Sequence, residues 1–158
     1  MVDARFEDAG EEPLYLAALE GDDLPVISAL VQDAVFPITE MTWQPVKRRF
    51  ALLLNRFRWE DRAAAEKRGR AYERVRSVLV VSDVLKVSTQ GIDRGDKDMV
   101  LSLLSVTFEP GADGTGRVVL TLAGDGAIAL EVEALDVTLK DVTRPYAAPS
   151  HHVPGHPE

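Results

Sequence analysis

The chain has no cysteine, few aromatic residues (two Trp, three Tyr, five Phe in 158 positions) and only three histidines. Without cysteine there is no disulfide, no thiolate nucleophile and no Cys-ligated zinc, and no need of an oxidising compartment. Histidine is the usual proton-transfer residue near neutral pH. His151, His152 and His156 all fall in the last eight residues, among prolines. A Ser-His-Asp or His–metal centre within a core is therefore excluded unless that tail folds back. No apolar run approaches the roughly 20 residues that cross a bilayer as a helix, so no membrane partner is expected. The first twelve residues, MVDARFEDAGEE, are acidic and polar, the opposite of a secretion signal's basic-then-apolar order. Cytoplasm is the expected location.

What the chain does have is an apolar fraction of 46% with 28% charged residues. That composition fits one folded domain burying roughly 70% of its unfolded surface. The net charge of −8 is unevenly distributed. Residues 1–46 carry −9, residues 47–76 carry +7, and residues 77–158 carry −6. A basic centre between acidic ends either meets a partner or neutralises acidic neighbours, in this chain or in a second subunit.

Residues 1–12 and the Pro/His-rich 144–158 read as flexible tails around a single α+β domain at 13–143. Leu14 to Leu19 reads as a strand. Leu24, Ile27, Val31, Ala34 and Val35 then recur at helical spacing. Asp22 and Asp23 stand where they cap such a helix, Pro25 in its first turn, and Pro37 as its stop. From residue 38 the period becomes two, with strands predicted over 38–43 and 48–59. The second of these is apolar on both faces in mid-strand, which predicts a central strand buried on both sides. Residues 60–71 form a charged connector with one helical turn. The C-terminal half reads as a meander with strands at 74–88, 99–108, 117–123 and 127–139, and Asp125-Gly126 marks a hairpin. The expectation is about seven mostly antiparallel strands with one amphipathic helix near the N-terminus. They would form a bent sheet or small roll or barrel closed by the helix.

The runs RFALLLNRFRWE (49–60), VLKVSTQGI (84–92), VLSLLSVTFEP (100–110) and LTLAGDGAIALEVEALDVTLKDV (120–142) occur in one order. Together they resemble the bacterial domain-of-unknown-function family 2948 over most of residues 12–145. The resemblance implies the domain boundaries and a bacterial, cytoplasmic setting. It implies no activity, cofactor or site residue, and the 60–71 connector is longer than the family pattern.

Several constellations invite a functional reading and each has a plainer one. The HHxxxH cluster lacks an acidic fourth ligand and a scaffold, so it reads as a solvated tail and no metal or cofactor is expected. Glu131 and Glu133 share a strand face, as outward alternation requires. GADGTG (111–116) lies between strands, without the helix N-terminus that a phosphate cradle needs, and DRGDKD (93–98) lacks a calcium loop's closing glutamate. Both read as hairpin loops. Asp83 interrupts the apolar run VLVVSDVLKV: buried it would need an arginine partner, and at a strand end or bulge it would lie in solvent.

The basic segment carries the strongest signal, with Arg48, Arg49, Arg56, Arg58, Arg74 and Arg76 interleaved with Phe50, Phe57, Trp59 and Tyr72. Cations alternating with rings suit single-stranded nucleic acid, but those rings at mid-strand are also core residues, and a pI near 4.9 opposes a polyanion. No catalytic residue is assigned. The first expectation is a non-catalytic interaction module whose partner is another protein or a second copy of the chain. The alternatives are nucleic-acid binding through 47–76, or a small-ligand or enzymatic site joining Asp83 to an arginine.

Overall fold

Alternation from residue 49 onward produces an antiparallel sheet that bends around a single core. The computed structural model describes residues 12–149 and 152–155. The tail expected over 1–12, except Glu12, lies outside them, as do His151 and His156. The elements in chain order are β1 (Tyr15–Ala18), α1 (Leu24–Leu30), β2 (Val35–Pro37), β3 (Met41–Gln44), β4 (Arg49–Phe57) and α2 (Arg62–Arg68). They continue with β5 (Glu73–Val81), β6 (Val84–Gln90), β7 (Val100–Pro110), β8 (Gly116–Leu122), β9 (Ala127–Val132), β10 (Val137–Asp141) and β11 (Tyr146–Ala147). The strand order is β1-β10-β5-β4-β2-β7-β8-β9-β6, with β3 added to β4 and β11 to β5.

The sheet is mostly antiparallel, as expected, but it has eleven strands and is not closed. Three features account for three of the four extra strands, and β11 is the fourth. The apolar run at 74–88 breaks at Ser82-Asp83, where Asp83 adopts a left-handed φ of 56°. The run at 127–139 breaks between Val132 and Val137. Val35, expected at the end of a helix, begins a strand instead: α1 stops at Leu30, and Asp33, with φ 61°, turns the chain into β2. Asp33 N–H then donates to Leu103 O at 2.7 Å, which ties that turn to β7. Asp23 occupies the N-cap position of α1, but its side chain makes no capping hydrogen bond. Residues 62–68 form a second helix, ended by Gly69 at φ 63°, a left-handed cap that glycine adopts without a Cβ clash. The segment read as a C-terminal tail contributes β11, which continues along the edge of β5 beyond β10.

Inward residues of both halves of the sheet share one apolar core. Phe50, Leu52 and Leu54 of β4 meet Leu79 and Val81 of β5, Leu120 and Leu122 of β8, and Ile128 and Leu130 of β9 there. Helix α1 adds Leu24 and Ile27, with Val31 just beyond it. No helix among the described residues is long and apolar enough to cross a membrane.

Candidate functional site

Alternation along β4 divides the basic segment between two environments. Arg56 shares the parity of Phe50, Leu52 and Leu54, so it points inward, and its side chain is 0% exposed. Its Nε donates to Ser77 Oγ at 3.1 Å and to Asp141 Oδ1 at 3.3 Å. Nη1 and Nη2 grip the Glu60 carboxylate at 2.9 and 2.8 Å, and Nη2 reaches Asp141 Oδ1 at 3.0 Å. Ser77 Oγ–H donates to Asp141 at 2.6 Å, and Asp141 also accepts from Leu14 N–H at 3.1 Å. The cluster thus binds β4, β5, β10 and the entry to β1 together.

Neighbouring cations are tied down in the same way. Arg58, also buried, pairs with Glu73, and Arg70 forms a two-pronged pair with Asp61. Burial opposes the charges on Arg56 and Glu60. Their mutual hydrogen bonds and attraction outweigh it, so the guanidinium lies above its ordinary pKa and the carboxyl below. The hydrogen bonds from Arg70 hold Asp61 below the ordinary carboxylate range. Arg56 and Arg58, expected on a partner-facing surface, are therefore interior residues, and the reading of 47–76 as one continuous basic surface is corrected. The reading that the basic segment faces acidic neighbours in this chain describes them.

Of the two readings of Asp83 the solvent-exposed strand end holds: it is exposed in the left-handed turn between β5 and β6, and among the described residues it forms no ion pair with an arginine. The buried carboxylate with an arginine partner is Asp141. Arg48, in the β3–β4 turn at φ 53°, is exposed and paired with Glu133 at 2.6 Å. Glu131 pairs with Arg117 across β8 and β9, so both glutamates of that strand are held in surface ion pairs. His152 is exposed, and no cluster of metal-ligating side chains occurs among the described residues.

Three further residues of the basic segment, Arg49, Arg74 and Arg76, assemble on the opposite face. Paired residues in antiparallel strands share a face, and the register places Leu53 beside Val78, and Ala51 beside Val80. Val78 in turn faces Lys140, and Lys140 faces Tyr15. Asn55 lies opposite Arg76, and Tyr146 opposite Arg74. Arg49 extends the same face past Ala51. Leu53, Val78 and Val80 are half-buried and absent from the core, and no described helix or strand stacks over them. The expectation that β4 is buried on both sides fails here. At Phe57 this face is covered by Trp59 and Tyr72, at ring-centroid distances of 4.8 and 5.5 Å.

Arg49, Arg76 and Lys140 have no carboxylate within 4 Å among the described residues. Arg74 is braced by Asn55, donating to its Oδ1 at 2.6 Å and its carbonyl at 3.0 Å, and burial pulls its pKa below the ordinary value. Tyr15 and Tyr146, 63% and 38% exposed, stand at the margins. The outer face of the β7–β8–β9 half carries Thr107, Val119, Thr121, Ala127 and Ala129 with the Arg117–Glu131 pair.

Of the predicted residues the structure brings together Arg49, Arg74 and Arg76, and sequence reasoning missed Lys140, Tyr15, Tyr146, Leu53, Val78 and Val80 as their companions. The alternation Val137, Leu139, Asp141 puts an acid at an inward position, a signal sufficient to find the buried carboxylate. No curated protein and no solved structure matches the chain. The family model described as "Protein of unknown function (DUF2948)" matches residues 14–156, and the chain belongs to that family.

Proposed function

We propose that the chain is a non-catalytic interaction module that docks a protein partner on the outer face of β10, β5 and β4. One observation carries the reading: a half-buried aliphatic strip, Leu53, Val78 and Val80, over which no described helix or strand packs, is bordered by Arg49, Arg74, Arg76 and Lys140. An apolar centre with a charged rim is how protein interfaces are built, and here it calls for a partner with an aliphatic centre and an acidic margin. Two copies meeting isologously through this face would set like charges against each other, so the occupant is a different protein. Single-stranded nucleic acid suits the cations and the two tyrosines. The centre, however, is aliphatic and offers no row of rings on which bases stack.

The test is a photo-crosslinking amino acid at position 53, with position 121 on the opposite outer face as control. We expect a discrete protein adduct in cells from position 53 alone, lost when Arg76→Glu and Lys140→Glu are added. Equal adducts from both positions, or adducts only to nucleic acid or to a second copy, would overturn the reading.

A further inference from the structure

The sheet fails to close at one seam. Among the described residues β3 pairs only with β4, and β6 only with β9, so two strand edges face each other there, bridged at one end where Val84 N–H donates to the Arg48 carbonyl at 2.9 Å. Between them lies a cleft of about 290 Å³. Met41 and Trp43 from β3 and Val87 from β6 form its sides, and the buried side chains of Ile38 and Phe50 lie beneath. That volume is about twice the ~150 Å³ cavity that accepts benzene. The Trp43 side chain makes no hydrogen bond among the described residues, so its indole N–H is an available donor beside the hydroxyls of Thr39 and Thr89 in the lining.

The rim is cationic, from Arg94 and Lys97 in the loop between β6 and β7. The acids of the same loop, Asp93, Asp96 and Asp98, do not line the cleft. Asp93 Oδ1 accepts from Gly95 N–H at 3.0 Å and Asp96 Oδ1 from Asp98 N–H at 3.1 Å, while Arg94 and Lys97 have no carboxylate within 4 Å among the described residues. The loop leaves β6 through Gly91 at φ +70°, where an added Cβ would lie 3.1 Å from Gly126 Cα. The cations are thus carried on a loop seated tightly against the β8–β9 turn.

An apolar cleft with a few convergent polar groups is the usual form of a small-ligand site. We infer that this cleft binds a small amphipathic carboxylate, with an apolar body of one or two rings against Trp43, Met41 and Phe50 and its charge at Arg94 and Lys97. The site is on the seam, distinct from the docking face, and does not depend on that reading.

The two tryptophans give separate indole N–H signals by NMR, assigned with Trp43→Phe and Trp59→Phe, and Trp59 is already engaged by the Gln32 carbonyl. With 2-naphthoate as probe on the full chain, the Trp43 signal is expected to shift in a saturable manner while Trp59 stays in place. The uncharged 2-naphthamide is expected to bind on the order of tenfold more weakly, the loss of one charge-assisted contact. Arg94→Glu with Lys97→Glu should erase that preference, and Thr89→Phe, which fills the cleft, should abolish binding with the fold intact by circular dichroism. No shift of Trp43 at millimolar naphthoate, equal affinity for the amide, or unchanged preference in the double variant would each overturn the inference.

Discussion

The Arg56 guanidinium has no exposed surface, and its donors are distributed over Ser77, Asp141, Glu60 and the Phe57 carbonyl. Planar geometry makes this possible, because a fork of fixed donors can hold two carboxylates at once, whereas an ammonium is a single point. Truncation would strand Asp141, which is only 6% exposed, with a charge and reduced partners. Arg56→Ala is therefore expected to cost about 3–5 kcal/mol in urea unfolding. Arg56→Lys should recover only part of that loss. Arg56→Met combined with Asp141→Asn should cost clearly less than the sum of the two single changes. Additive costs would mean that the two residues do not act as a pair. This residue was legible in part. Its place in the Phe50, Leu52, Leu54 register marks it as inward and Glu60 is only four positions on, but Ser77 and Asp141 come from 21 and 85 positions away, and no local pattern carries such distances.

Elements were legible where the period was clean and their ends were not. The hairpin at Asp125-Gly126 and the strands around it follow from alternation alone, and β4 appears within two residues of its expected limits. The helix was overextended because Val31, Ala34 and Val35 keep helical spacing, but Val31 is buried as the helix cap, and Ala34 and Val35 find their burial or pairing after a left-handed turn at Asp33. Tertiary pairing with β7 overrode the local pattern. The β7–β8 hairpin depends on a close approach that the sequence also concealed. A Cβ on Gly116 would lie 2.5 Å from the Phe108 ring and 2.6 Å from the Glu109 carbonyl, so the ring lies across a position where only glycine fits. Gly116→Ala is expected to destabilise by about 1–3 kcal/mol through this overpacking. Gly21→Ala, whose Cβ would meet the same ring at an ordinary 3.8 Å, should stay within about 0.5 kcal/mol. Equal urea midpoints for the two variants would contradict the account.

At the scale of the whole molecule, the −9, +7 and −6 blocks separate into a buried set of charges that holds the fold and an exposed set that faces outward. The two sets respond differently to solution conditions. Glu60 and Asp61 titrate below the ordinary carboxylate range in the folded chain. A depressed folded value contributes stability that is complete above the unfolded carboxyl pKa, roughly 4, and is lost as pH falls through the folded values. The urea midpoint should thus hold from pH 7 to about 5 and decline below about 4, with a shallower decline in Arg56→Met, which removes Glu60's main partner. Salt distinguishes the sets further. Ions at 0.5 M screen exposed pairs such as Arg48–Glu133 and Arg62–Glu66, each worth at most about 1 kcal/mol, but they reach the Arg56 cluster poorly. Folding stability at pH 7 should therefore change little between 0.05 and 0.5 M salt (both on the order of common buffer strengths), while the position-53 crosslink, which relies on exposed Arg49, Arg76 and Lys140, should weaken steeply over the same range. If salt instead lowered the urea midpoint and left the crosslink unchanged, the assignment of cations to the two sets would be reversed, with surface pairs holding the fold and the outer sheet face binding through its aliphatic strip alone.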